Sequence, residues 1–143
     1  MIRAAVEGDL PEIHAMISEL AAFESMSDQV VCTAEDLRRA LFGPQAIVFD
    51  TVAVADDGSL AGHALWYRTF STFVGKTGIW LEDLYVRPAQ RRRGHAAALM
   101  ADLRVRTDGR LEWDVLEWNS EAIDFYQLLG ARPMAGWTKY RWV

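Results

Sequence analysis

The stretch that most constrains this chain runs from Gly78 to Leu103. GIWLEDLYV (78–86), rich in β-branched and aromatic residues, reads as a strand and is closed by Pro88. Arg91-Arg92-Arg93-Gly94-His95-Ala96 follows, and Ala97, Ala98, Met100, Ala101 and Leu103 then fall at helical spacing. A strand that turns through so short a loop into a helix exposes the helix's unpaired N-terminal amides and its partial positive charge, which together suit an anion. Gly94 would let a backbone approach a phosphate closely, and Ala96 is the next smallest choice. On these residues alone the loop is either a phosphate-holding turn, with the arginines adding positive field, or a charged turn with an incidental glycine. It lacks both the G-K-[ST] of a phosphate loop and the G-x-G-x-x-G of a dinucleotide fold.

Composition narrows the partners. A chain of 143 residues is the size of one domain, 1–143, and 51% hydrophobic with 24% charged residues is ordinary for a globular protein. The net charge of −5 argues against nucleic acid in spite of the arginine triplet. Cys32 is alone, which excludes an intrachain disulfide and suggests a small buried hydrophobe. MIRAAVEGDL lacks a signal-peptide core, and no run approaches the ~20 apolar residues of a membrane span, so a cytoplasmic protein away from membranes is expected. His14 and His63 have no metal-like spacing; both read as structural or surface residues, and no metal is expected.

Around the central stretch the chain reads as a mixed α/β domain. Ile2–Ala5 suggests a first strand. Asp9, Pro11 and Glu12 mark a capped helix start, and Leu10, Ile13, Ile17 and Leu20 give that helix a buried face. Thr33 and Asp36 make a second capping signature, for a short helix ending near Gly43-Pro44. IVFDTVAVA and GHALWYRTF form two strands around an Asp57-Gly58 hairpin. The helix after the arginine loop should end at Asp108-Gly109. RLEWDVLEW alternates as a half-buried strand, Ser120 caps a last helix to Leu129 that stops at Gly130, and GWTKYRWV is expected as a final strand.

LEDLYVRPAQRRRGHAAALM followed by LEWNSEAIDFYQLLGA resembles the GNAT superfamily of N-acetyltransferases. The loop has the form R/Q-x-x-G-x-G/A, here Arg91-x-x-Gly94-x-Ala96, and it is paired with N-x-x-A-x-x-F-Y-x-x-x-G from Asn119 to Gly130. ELAAFESMSDQVV, LED, EWN, DFY and the late GW follow the order of the polyamine (diamine) and thialysine acetyltransferase branch. Phe70-Ser71-Thr72-Phe73, where polyamine acetylators carry an acid and tryptophan, is closer to the thialysine relatives and points away from long polyamines.

The resemblance implies a single α/β domain with a mostly antiparallel sheet flanked by helices, acetyl-coenzyme A as co-substrate, and a primary amine on a small molecule as acceptor. It implies Tyr126 as the acid for the departing thiolate and Glu82 as a substrate-binding group that relays the amine proton through water. Strand alternation would send Glu82 and Asp83 to opposite faces, leaving Asp83 as a substrate ligand or only a solvated or structural charge. Leu84, Tyr85 and Val86 would hold the pantetheine arm, and amides from Arg91 through Ala97, His95 pointing outward, would hold the pyrophosphate. Asn119 would bind the pantetheine arm or cap a helix. Arg92 and Arg93 would reach the 3′-phosphate or remain solvated. Phe23, Glu24 and Trp137 would line an amine pocket through cation–π and ion-pair contacts, or be packing and loop residues. A homodimer with the C-terminal segment at its interface is also implied. A peptide or protein acetyltransferase and a non-catalytic coenzyme A-binding module are the alternatives.

Overall fold

The structure, a computed structural model, describes all residues 1–143 and divides by contacts into two compact units, Met1–Trp113 and Asp114–Val143. The first unit holds β1 (Ile2–Ala4), α1 (Leu10–Phe23), α2 (Ala34–Phe42), β2 (Phe49–Val54), β3 (Leu60–Ser71), β4 (Lys76–Val86), α3 (His95–Val105) and β5 (Leu111–Glu112); the second holds α4 (Ser120–Leu128). The sheet order is β1-β2-β3-β4-β5, antiparallel except for the parallel β4–β5 pair. No helix is long and apolar enough to cross a membrane.

One face of the sheet carries Val52, Leu65 and Tyr85 into a core with Leu10, Ile13 and Met16 of α1 and Leu37 of α2. α3 packs on β2, β3 and β4 through Leu99, Met100 and Leu103. Thr33 and Asp36 form the expected reciprocal cap: Asp36 N–H donates to Thr33 Oγ1 at 3.1 Å, and Thr33 N–H to Asp36 Oδ2 at 2.9 Å. Asp9 acts otherwise than expected. It precedes α1 but makes no side-chain cap; its carboxylate takes both guanidinium nitrogens of Arg3 at 2.7 and 3.0 Å and the Val6 N–H at 2.8 Å. That use ties β1 to the start of α1. Arg87, just past β4, does the same at its end of the sheet, reaching Glu12 at 2.5 Å and Glu19 at 3.2 Å on α1.

Two expected strands shrink or vanish. β5 is only two residues long, paired through Ile79–Leu111 and Trp80–Glu112. It can come that close because Gly78 and Gly109 stand at the crossing, where a Cβ would strike the Arg110 and Thr77 carbonyls. GWTKYRWV is no strand: residues 136–143 contain only a turn at its start and are exposed. A strand needs an edge to pair with, and its own alternation supplies none. α3 stops at Val105, where Arg104 donates to the carbonyls of Thr107 and Gly109 at 2.6 and 2.7 Å. The last helix is capped by Asn119, as one of its two readings had it, and not by Ser120; the Asn119 Oδ1 accepts from Ala122 N–H at 3.2 Å. It ends with paired bonds from Ala131 to Tyr126 and from Gly130 to Gln127, with Gly130 at φ 89°. Cys32 is half-buried against the main core.

Candidate active site

β4 carries the site. Its register against β3 runs Trp66–Leu81 and then Leu65–Asp83, so Glu82 is an extra residue, a β-bulge. The bulge cancels the alternation that would have separated Glu82 from Asp83. Asp83 shares a sheet face with Leu65 and His63, and Glu82 turns back to accept a hydrogen bond from Trp80 Nε1 at 3.0 Å, on that same face. Glu82 is exposed and Asp83 half-buried.

Burial is the main reason that the Asp83 carboxyl is pushed up to about 6; the nearby charges of Glu82, Glu24 and Asp50 push the same way, and His63 opposes them. Glu24, also raised by burial, is placed by the end of α1. There Met26 N–H bonds Ala21 and Ser25 N–H bonds Ala22, with Ser25 in the left-handed region at φ 56°, where glycine is the usual residue. Phe23, next to it, is 44% exposed. Glu24, Glu82 and Asp83 thus form one acidic group in the first unit.

The outer edge of β4 is the second feature. β5 pairs only as far as Trp80, so beyond Leu81 the main chain of Leu84, Tyr85 and Val86 has a strand on its β3 side alone. At that edge Arg91 Nε donates to the Val86 carbonyl at 2.9 Å. Its unpaired groups are able to take an extended ligand in strand fashion.

The arginine loop is the third. Gly94 caps α3 in the left-handed region at φ 81°, a Cβ there would meet nothing within 4 Å, and Arg92 is also left-handed at φ 61°. The first bond of the α3 ladder is from Ala98 N–H to the Gly94 carbonyl at 2.9 Å, so the amides of His95, Ala96 and Ala97 lie ahead of it at the open helix end. Arg92 and Arg93 are exposed, while His95 is partly buried, less outward than expected. The Arg91 guanidinium, on an exposed residue, lies over the Phe23 ring at 5.6 Å and the Tyr85 ring at 5.8 Å. It links the loop to the end of α1, a role that sequence reading did not give it.

The remaining expected residues lie in the second unit. Tyr126 sits in the last turn of α4, its ring 5.4 Å from that of Phe125. Asn119 is the helix cap, and Trp137 is 79% exposed. One pairing in the first unit was not read from the sequence: Asp50 of β2, which went unremarked, and His63 of β3, read only as a structural or surface residue, bond each other with neither side chain exposed. The signal was present, a carboxylate and an imidazole inside otherwise apolar strands, but joining them required the register. His14, by contrast, is structural as expected, its Nε2 bonding the Cys32 carbonyl at 2.8 Å. No group of three or more His, Cys, Asp or Glu is disposed to hold a metal.

Comparison with known proteins agrees in one direction. The model of the family described as "Acetyltransferase (GNAT) family" matches residues 13–131. A thialysine N-epsilon-acetyltransferase of Sus scrofa is 37% identical over 99% of this chain and 91% of its own length. A protein of the same description from Caenorhabditis elegans is 39% identical over 91% of this chain and 83% of its own length. The crystal structure of a probable acetyltransferase superposes with TM-score 0.80 at 21% identity, covering 100% of this chain and 97% of that one, which shows a shared fold.

The buried acid should cost stability near neutrality. Asp83 ionises near 3.8 when unfolded and about 6 when folded, so folding is unpenalised below pH 4 and loses stability as pH rises through 6. Asp83→Asn should therefore be more stable than wild type at pH 7.5, by up to about 3 kcal/mol, with the difference fading toward pH 4. Urea midpoints at the two pH values check this, and a variant less stable at pH 7.5 would contradict it.

Proposed function

Because the chain belongs to the GNAT acetyltransferase family, we propose that this N-acetyltransferase moves an acetyl group from acetyl-coenzyme A to a primary amine on a short, flexible small molecule, such as thialysine, a lysine analogue or a diamine. The observation that carries the proposal is the acidic group made by Glu24, at the end of α1, with Glu82 and Asp83 of the strand whose open edge leads into the Gly94 turn.

The residues fit the co-substrate. Open space at Gly94 admits a phosphate, the amides from Arg91 through Ala97 receive it, and the main chain of Leu84, Tyr85 and Val86 offers strand-type bonds to an extended arm. Asn119 supports the arm from the start of α4, and Arg92 and Arg93 supply positive charge for the outer phosphate. Bound there, acetyl-coenzyme A supplies the activated acetyl thioester.

Each chain group has its task. Glu24, Glu82 and Asp83 attract the ammonium form of the acceptor, whose pKa is near ~10.4, while Phe23 and Trp137 offer aromatic faces to it. Glu82, the exposed carboxylate of the bulge, takes the amine proton by way of water. Tyr126 Oη gives a proton to the leaving sulfur. The relatives described as thialysine acetyltransferases support the choice of a small amine, and Phe70-Ser71-Thr72-Phe73 argues against long polyamines. The chain acts as one catalytic domain over 1–143 and as a homodimer. Trp137, Tyr140 and Trp142, at 79%, 92% and 100% exposure, are the aromatic surface that a second copy would cover.

Thiol release assayed over a panel of amines, lysine analogues and histone-tail peptides tests the acceptor class. Activity should appear on the small amines and fall ~10²-fold in Tyr126→Phe, with coenzyme A affinity little changed. Acetylation of peptides alone would overturn the small-amine reading. Gly94→Val should bind acetyl-coenzyme A far more weakly by calorimetry while remaining folded, and an unchanged affinity would remove the loop from the site. Light scattering at micromolar protein should give about twice the 16.1 kDa chain mass; a monomer mass would refute the dimer.

A further inference from the structure

Asp50 and His63 are an unusual pair for the centre of a sheet. Asp50 lies opposite Leu65, and His63 opposite Val52 and Tyr85, so the two are diagonal neighbours on one face of β2 and β3. His63 Nδ1 and Asp50 Oδ2 are 2.8 Å apart, and neither side chain is exposed. The outer atoms, His63 Nε2 and Asp50 Oδ1, are also buried and have no bonding partner in the protein. Buried polar atoms are almost always satisfied, and apolar residues would fill two positions in a sheet core at less cost. Stability alone therefore gives no reason for the pair.

The neighbouring strand suggests the reason. Asp83 also lies opposite Leu65, so Asp50, Leu65 and Asp83 form a row across β2, β3 and β4, and His63, on the same face of β3, is diagonal to both carboxylates. Of the charges that bear most on Asp83, those of Glu82, Glu24 and Asp50 oppose its ionisation, and that of His63 favours it. On His63 itself burial works against the charged form, as does Arg87 from the end of β4; Asp50 and Asp83 outweigh both, so the imidazole holds its proton to higher pH than an exposed histidine. Asp9, held by Arg3 at the start of α1, adds a further negative charge beside Asp50.

We propose that the Asp50–His63 pair is a positioning pair for the amine site: it holds an imidazolium beside Asp83 and so keeps that carboxylate anionic and ready to receive an ammonium group. The use made of Asp83 rests on the amine-acetylating reading above; the electrostatic coupling does not. Asp50 fixes the ring through Nδ1 and leaves Nε2 to the interior. His63 touches no substrate and moves no proton during turnover. The pair sets the lowest pH at which the site accepts its substrate.

The test joins two readouts on the full chain. Carboxyl-carbon and imidazole NMR titrations follow Asp83 and the three histidines in wild type and in His63→Gln, a change that keeps a hydrogen-bonding group toward Asp50 and removes the charge. His63 should stay protonated while Asp83 ionises. In His63→Gln the Asp83 midpoint should move up by about one pH unit, and the acidic limb of kcat/KM for the best amine should move with it. An Asp83 midpoint that stays put, or a His63 that is neutral before Asp83 ionises, overturns the proposal. Should His63→Gln fail to fold, the order of ionisation in wild type still decides. If wild type acetylates no amine, the functional reading falls while the NMR titration judges the coupling separately.

Discussion

The bulge at Glu82 in β4 is the constraint around which the rest of this structure is arranged. One extra residue in a long antiparallel strand disrupts the ladder locally and bends the strand, and here it acts at two levels. It turns two consecutive carboxylates to one face of the sheet. It also falls where β4 and β5 cease to pair, so that the last third of β4 keeps its outer backbone groups open. The Glu82–Asp83 pair and the edge without a β5 partner thus meet at a single register shift, just past the glycines that let β5 approach for two residues.

Beside this edge the protein gathers negative charge in a place where charge is expensive. Burial pushes the Glu24, Asp50 and Asp83 carboxyls up, and at Asp83 the charges of Glu82, Glu24 and Asp50 push the same way. Such an arrangement is a poor way to stabilise a fold and a reasonable way to attract a cation, since a positive ligand relieves the repulsion that the empty site must carry. The strain at Ser25 belongs to the same pattern, a left-handed serine at the turn that fixes Phe23 and Glu24. Elsewhere the fold is held conventionally. The Arg3–Asp9 and Arg87–Glu12–Glu19 contacts fasten α1 to opposite ends of the sheet, and apolar packing fills both faces.

The arginine loop divides its work unexpectedly. All three arginines are exposed, but Arg91 lies against Phe23, Tyr85 and the Val86 carbonyl. A residue that reads as part of a phosphate loop therefore braces that loop against the end of α1, joining the Gly94 turn to the residues beside Glu24 through one guanidinium.

Local chemistry in the sequence determined the succession of elements through α3, the Thr33–Asp36 cap, the Asp57-Gly58 hairpin and the glycine-capped helix end at Gly94. Each depends on neighbours within a few residues, so its signal is contained in the stretch that forms it. The paired motifs around Gly94 and Asn119 likewise disclosed the family. Tertiary structure alone decided the shared face of Glu82 and Asp83, the Asp50–His63 bond and the contact of Arg91 with Phe23 and Tyr85. A bulge exists only relative to a partner strand, and diagonal neighbours are defined only by a register, so neither is written in the residues of one strand. The same reason removes the expected final strand: alternation in GWTKYRWV states which side chains would share a face, but an extended segment becomes a strand only when another edge meets it.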